Sequence, residues 1–113
     1  MMEIHGGENE KEFFLEVSGH AKADKDGCQY PCAKISVLTQ SLSAYLFDRL
    51  GEHAKGIDYR GSQGFLYIHV KKEGYLPEDL RDIRTMWGML KAGLDIVEYQ
   101  YPSSFTIAWE YEN

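Results

Sequence analysis

The 113-residue chain has few cysteines, a shortage of positive charge and no long apolar run, and each shortage excludes a class of protein. Two cysteines are too few for a disulfide-rich scaffold. The chain has 12 Lys and Arg against 18 Asp and Glu, a net charge of −6. This balance argues against a nucleic-acid partner, because phosphate binding needs a basic face. No apolar stretch approaches the roughly 20 residues of a membrane helix.

The N-terminal segment also lacks the basic and then apolar pattern of a signal peptide. We therefore expect a cytoplasmic protein that binds neither membranes nor nucleic acid. Hydrophobic residues make up 43% of the chain, which suits a soluble globular protein of this length with one core. We expect a single domain spanning residues 1–113.

Hydrophobic periodicity predicts seven elements. Alternating or β-rich segments predict strands at 2–5, 11–18, 56–60, 65–70 and 103–111, and three- and four-residue spacing predicts helices from Pro31 to Leu50 and from Pro77 to beyond Val97. Two glycines and an asparagine in HGGENE, residues 5–10, predict the turn of the first hairpin. Pro31 suits a first helical turn, and Gly51 follows the end of that helix.

The predicted order is β-β-α-β-β-α-β. Short turns within the strand pairs favour antiparallel pairing, so we expect an α+β fold with an antiparallel sheet of about five strands and both helices on one face. The other face should carry an excess of aromatic side chains. Because an exposed apolar sheet face is a liability, we expect a second copy of the chain to cover it in a homodimer.

Residues 20–32, HAKADKDGCQYPC, place one histidine and two cysteines between a predicted strand and a predicted helix. Cys32 falls in the first turn of that helix, where unpaired N–H groups and the positive end of the helix dipole favour a thiolate. His20 follows the strand, and a strand-to-helix loop can bring its two ends together when the helix packs on the sheet. The pattern indicates a thiol nucleophile with a histidine base, beside N–H groups for an oxyanion and the positive charge of Lys34.

Three other interpretations of these residues stay open at this point. Cys32 could be a small buried apolar residue, and His20 a loop histidine without a task. A zinc site needs three or four ligands, yet Cys28, Cys32 and His20 have no matching second pair downstream. A Cys28–Cys32 disulfide would be strained at a helix start and would suit a redox switch better than a structural link. We expect no metal and no cofactor, and keep Cys28 as a candidate redox partner.

This region resembles the ribosomal-processing cysteine protease family, Prp. The features in register are Gly19-His20-Ala21, Gly27, Cys32-Ala33, Ser36 and LTQ at 38–40, and the order of elements also fits over nearly the whole chain. The resemblance implies an antiparallel sheet with two helices, usually in a homodimer. It also implies a cysteine endopeptidase that removes a short N-terminal extension from a large-subunit ribosomal protein, or from a phage protein with the same extension. In that reading His20 is the general base, Cys32 the nucleophile and Gly19 a hinge.

Four positions depart from the family pattern: Cys28, Gln29, Pro31 and Lys34, of which Gln29 bears on the catalytic pair. Gln29 stands where the family has an aspartate three residues before Cys32, and an amide can hydrogen-bond to an imidazole but cannot stabilise its positive charge. Papain-like proteases nevertheless work with an amide in the third position. Three functions stay open: an active endopeptidase with Ser36 supporting the site, a catalytically impaired homodimeric binding or regulatory protein, or a thiol redox sensor using Cys28 and Cys32.

Overall fold

The strands and helices follow the predicted order, and the computed structural model describes residues 2–19, 30–51, 56–62 and 65–111. The strands are β1 (Met2–Glu8), β2 (Glu12–Ser18), β3 (Ile57–Ser62), β4 (Phe65–Lys71) and β5 (Phe105–Tyr111), and the helices are α1 (Tyr30–Leu50) and α2 (Pro77–Gln100). The predicted α+β class is confirmed. Three of the candidate residues, His20, Cys28 and Gln29, lie outside the described residues.

Among the described residues, five strands form one sheet in the order β3-β4-β2-β1-β5, with β2 at its centre. The pairs β1–β2 and β3–β4 are antiparallel, as their short connections predict, and β2–β4 is antiparallel as well although α1 and β3 lie between these strands in the chain. The β1–β5 pair is parallel, so the sheet is mixed rather than wholly antiparallel. The reason is that β5 reaches the sheet through α2, and a helical crossover allows a parallel pairing that a tight turn forbids.

One face of the sheet packs against both helices and forms the core. Alternate residues of the central strand, Phe13, Leu15 and Val17, point into this layer. The helices contribute Ile35, Leu42, Leu46 and Leu50 from α1, and Ile83, Trp87, Leu90, Leu94 and Val97 from α2. The expectation that both helices lie on the same face is therefore confirmed.

The first hairpin turns later than the sequence predicted. Strand β1 continues through Gly6 and Gly7 to Glu8, and the turn is made at Asn9, whose Oδ1 accepts hydrogen bonds from the N–H groups of Lys11 and Glu12. The two glycines serve close approach to β5 instead of a turn. A Cβ on Gly6 would lie 2.7 Å from the indole of Trp109, and one on Gly7 would lie 1.9 Å from the carbonyl oxygen of Glu110.

The face opposite the helices, called the outer sheet face below, is mainly polar, so the expected excess of aromatics there is wrong. Strand pairing places on it the side chains of His5, Glu12, Phe14, Glu16, Tyr67, His69 and Glu110. The two ring nitrogens of His69 lie 2.9 Å from carboxylate oxygens of Glu12 and Glu16. Phe14 is only 6% exposed, since the rings of His5 and His69 contact it. Alternation of residues in the strands identified the two faces of the sheet correctly. Because His5 and His69 of the same chain cover the Phe14 ring, there is no longer a reason to place a second copy on this face.

Candidate functional site

Cys32 lies in the first turn of α1, as predicted. Pro31 beside it is fully buried, and the Cys32 side chain is half-buried against the hydrophobic core, where it carries a free thiol. The first four N–H groups of a helix have no partner within the helix, which here includes those of Cys32 and Ala33. No acidic residue occupies this turn. The turn therefore combines a thiol with hydrogen-bond donors and the positive end of a helix dipole.

Gly19 lies directly after β2, the central strand of the sheet. Its φ of 82° falls in the left-handed region, which residues with a Cβ adopt only at a cost in free energy. The chain thus reaches His20 through a residue whose backbone conformation requires glycine or tolerates few others. This conformation fits a hinge, and the hinge itself remains a prediction.

Ser36 lies one turn beyond Cys32 on α1, on the same face of the helix, as its spacing predicted. Its carbonyl oxygen accepts a hydrogen bond of 3.2 Å from the Thr39 hydroxyl, which also donates to the carbonyl of Ile35 at 3.0 Å. The buried polar side chain of Thr39 is thereby satisfied within the helix. Ser36 therefore shares a helix face with Cys32, and its supporting role stays a prediction.

One contact near the start of α1, made by Lys34, could not be predicted from the sequence. The Lys34 ammonium donates a 2.9 Å hydrogen bond to Oε1 of Gln100 and lies 4.9 Å from the ring centre of Tyr101. Both partners belong to the C-terminal end of α2, more than 60 positions away in the chain. The sequence led us to expect only that Lys34 adds positive charge near Cys32, because the residues around Lys34 do not reveal its contact with the distant end of α2.

The described histidines of the outer sheet face have partners of their own. His5 Nε2 lies 3.2 Å from Glu110, and His69 lies between Glu12 and Glu16. Within the described ranges, no group of three or more His, Cys, Asp and Glu side chains is arranged to hold a metal ion. Nor does either described helix have the length and hydropathy needed to cross a bilayer.

Comparison with known proteins gives one consistent result. The sequence profile of the family described as "Cysteine protease Prp" matches residues 1–106. Two crystal structures of the essential ribosomal processing protease Prp from S. aureus match with TM-scores of 0.72 and 0.74 at 15% and 13% identity, covering 97% of this chain and 100% of theirs. The first holds a covalently linked product peptide and the second a substrate peptide.

A third solved structure, SMU.848 from Streptococcus mutans, matches with a TM-score of 0.67 at 14% identity and covers 98% of both chains. No curated protein matches the chain significantly. At these identities the structural likeness shows the fold, and the profile match identifies the family.

Proposed function

Because this chain belongs to the cysteine protease Prp family, we propose that it is a cysteine endopeptidase with Cys32 as nucleophile and His20 as general base. Its substrate is the short N-terminal extension of a large-subunit ribosomal protein, or of a phage protein with a similar extension. Ribosomal proteins are made in the cytoplasm, so the enzyme acts there. The chemistry needs no metal and no cofactor.

The reaction follows the usual course of thiol proteolysis. His20 takes the proton of the Cys32 thiol, and the sulfur attacks the peptide carbonyl. The N–H groups of the first turn of α1 stabilise the oxyanion, and His20 returns the proton to the leaving amine. Water then hydrolyses the thioester and releases the new carboxylate together with the free thiol.

The observation that carries this proposal is the place of Cys32. A free thiol lies in the first turn of a 21-residue helix, where no acidic residue stands and where the unpaired N–H groups of the turn can stabilise an oxyanion. Gly19, with a left-handed backbone just before His20, supports the proposed hinge. Gln29 is proposed to orient the imidazole through its amide.

Cleavage of a peptide that carries the ribosomal extension tests the activity. We expect the wild-type chain to release the extension and Cys32→Ala to leave the peptide intact. Ser36→Ala, one turn away on the same face, is the matched comparison and should lower the rate without abolishing cleavage, since this hydroxyl supports the site and is not the nucleophile. Equal cleavage by wild type and Cys32→Ala would exclude Cys32 as the nucleophile.

A second candidate function rests on Gln29. If the missing carboxylate prevents stabilisation of the imidazolium, the chain is a binding or regulatory member of the family that no longer cuts. In that case the peptide stays intact with the wild-type chain, while Gln29→Asp restores cleavage. Cleavage by the wild-type chain at a rate that Gln29→Asp does not raise would exclude this alternative.

We also propose that the chain forms a homodimer, through its helices and not through the outer sheet face. The exposed apolar side chains of α2 form a stripe on the side of the helix opposite its buried core residues. In this stripe Met89, Ile96 and Tyr99 are 78%, 59% and 89% exposed. The spacing of Met89, Ala92, Ile96 and Tyr99 is that of a helix-pairing seam. A groove of about 570 Å³ between α1 and α2 adjoins this stripe, and Tyr45 and Met89 line it.

Light scattering after size-exclusion chromatography tests the dimer. We expect twice the chain mass for wild type and the single-chain mass for Met89→Glu combined with Ile96→Glu, because two buried carboxylates would oppose helix pairing. Thr106→Glu, an exposed position on the outer sheet face, is the matched control and should stay dimeric. Dissociation by Thr106→Glu alone would place the interface on the sheet.

A further inference from the structure

The start of α1, residues 30–35, is held on two sides. On the core side, Pro31 and Ile35 are buried and Cys32 packs against the same cluster. On the other side, the second turn is tied to α2 by the hydrogen bond from Lys34 to Gln100 and by the contact of the same ammonium with the Tyr101 ring. The first and last turns of a helix fray most readily. A side-chain contact that holds the start of α1 against α2 therefore limits the orientations that this helix start can adopt.

Neither partner of Lys34 carries a negative charge; what they share is their position at one end of α2. In the part of the chain that the structure describes, the ammonium meets a neutral amide and an aromatic ring face. Both lie at the C-terminal end of α2, where the dipole is negative and where α2 has no basic residue in its own last turn. Lys34 therefore supplies to α2 the cation that its own sequence lacks, and in doing so links the two helix ends.

We propose that Lys34 is a positioning residue for Cys32: through Gln100 and Tyr101 it fixes the direction in which the first turn of α1 presents its thiol and its free N–H groups. This inference rests on the proposed nucleophilic role of Cys32. The ammonium of Lys34 contacts Gln100 and Tyr101, and its effect on the reaction passes through the position of the helix start. It acts because the oxyanion donors and the thiol belong to the same turn, so a tilt of that turn displaces both together.

Three variants separate the contact from the charge. Lys34→Met removes both the hydrogen bond and the charge, and Gln100→Leu removes only the acceptor. Gln100→Glu keeps an acceptor and adds a carboxylate that offsets the ammonium charge. Lys91→Met is the matched control, since it removes a lysine of α2 that pairs with Asp95.

We expect Lys34→Met and Gln100→Leu to lower kcat on the extension peptide about fourfold with little change in KM, as suits the loss of one exposed contact. Backbone amide exchange in residues 30–38 should quicken by a similar factor. Gln100→Glu and the Lys91→Met control should leave both unchanged. A melting temperature that falls while kcat, KM and this exchange stay at the wild-type values would overturn the proposal and leave Lys34 a structural residue.

An equal loss in Gln100→Glu and Lys34→Met would also overturn it, because charge and not contact would then matter. If the wild-type chain cuts no peptide, the proposed function fails, and the inference is still tested by the rate of Cys32 alkylation with iodoacetamide. Peptide mapping separates Cys32 from Cys28 in that assay. A Cys32 rate and an amide exchange that Lys34→Met leaves unaltered would refute the positioning role by itself.

Discussion

Glu8 links the end of β1 to α2 through charged hydrogen bonds, and its replacement measures how much they stabilise the fold. The Arg84 guanidinium donates to the two carboxylate oxygens from Nε at 2.8 Å and Nη2 at 2.7 Å, and Lys72 Nζ donates at 2.6 Å. The hydrogen bond from Arg84, opposed by burial and aided by the bond from Lys72, holds the pKa of Glu8 below its ordinary value of 4.5. The Glu8 side chain is 10% exposed, so the carboxylate depends on these partners.

We expect Glu8→Gln to lower the free energy of unfolding by about 2 kcal/mol. Breaking a buried ion pair costs about 3–5 kcal/mol, and a charged hydrogen bond contributes about 1.5–3 kcal/mol. A value toward the lower end applies because Arg84 is half-exposed and can turn into water, whereas Lys72 stays largely buried. For a domain of this size the loss corresponds to a fall in Tm of about 8 °C.

The effect should also depend on pH. Since the pKa of Glu8 is lower in the folded than in the unfolded chain, its contribution is complete above about pH 4.5 and is lost as the pH falls through the folded pKa. The other carboxylates contribute equally to wild type and variant. The difference in unfolding free energy between the two proteins is therefore largest near neutral pH and shrinks in acid.

Urea unfolding followed by tryptophan fluorescence at about pH 7 and about pH 3.5 measures this difference. The matched control is Asp95→Asn, which breaks the exposed pair with Lys91 and should cost only about 0.5 kcal/mol. Similar losses in Glu8→Gln and Asp95→Asn would refute the reasoning from burial. A difference that is the same at both pH values would refute the assigned pKa direction.

Three further predictions concern the sheet. Gly7→Ala should cost about 3 kcal/mol or more, because its Cβ would meet the Glu110 carbonyl at 1.9 Å, and hydrogen exchange should show β5 loosened first. Trp87→Phe should cost about 2–3 kcal/mol in urea unfolding, since it leaves the buried Phe14 carbonyl without the indole N–H that lies 2.9 Å away. Tyr67 should ionise above its ordinary value in an ultraviolet titration that Tyr67→Phe identifies by difference, as burial first and Asp58 next raise its pKa above 10.0. Because the pKa of Tyr67 is higher in the folded chain, its contribution to stability is complete below about pH 10 and is lost as the pH rises through the folded pKa, and Tyr67→Phe should remove this part of the alkaline loss. A Tyr67 that ionises at or below pH 10 would contradict the last of these.

The elements could be read from the sequence wherever the signal is local. The stripe of Ile35, Leu42 and Leu46 predicted α1, and Pro31 predicted its first turn, because helical period and proline geometry depend on residues a few positions apart. The same reasoning placed Cys32 at the start of that helix. The family resemblance around Gly19 was carried by similarly close spacing, and the profile match over residues 1–106 confirms it.

The errors arose where a residue type has two uses. Gly6 and Gly7 predict a turn when only their neighbours are known, and they prove to admit Trp109 and Glu110 of a strand about a hundred positions away. Alternation in β2 separated Phe13 from Phe14 correctly. It could not show that Phe14 is covered by two histidines from neighbouring strands.

Short-range patterns were thus enough to predict the helices, the strands and a thiol at a helix start, since each depends on the backbone and side chains of one segment. The order of the strands, the parallel place of β5, the tie from Lys34 to Gln100 and the burial of Glu8 between Arg84 and Lys72 required the folded chain. They join residues far apart in the sequence, and their free energy exists only when packing brings those residues within hydrogen-bonding distance. The position of the Cys32 thiol at a helix start could therefore be predicted from nearby residues. The proposed orientation of that helix start depends on the packing of α1 on α2.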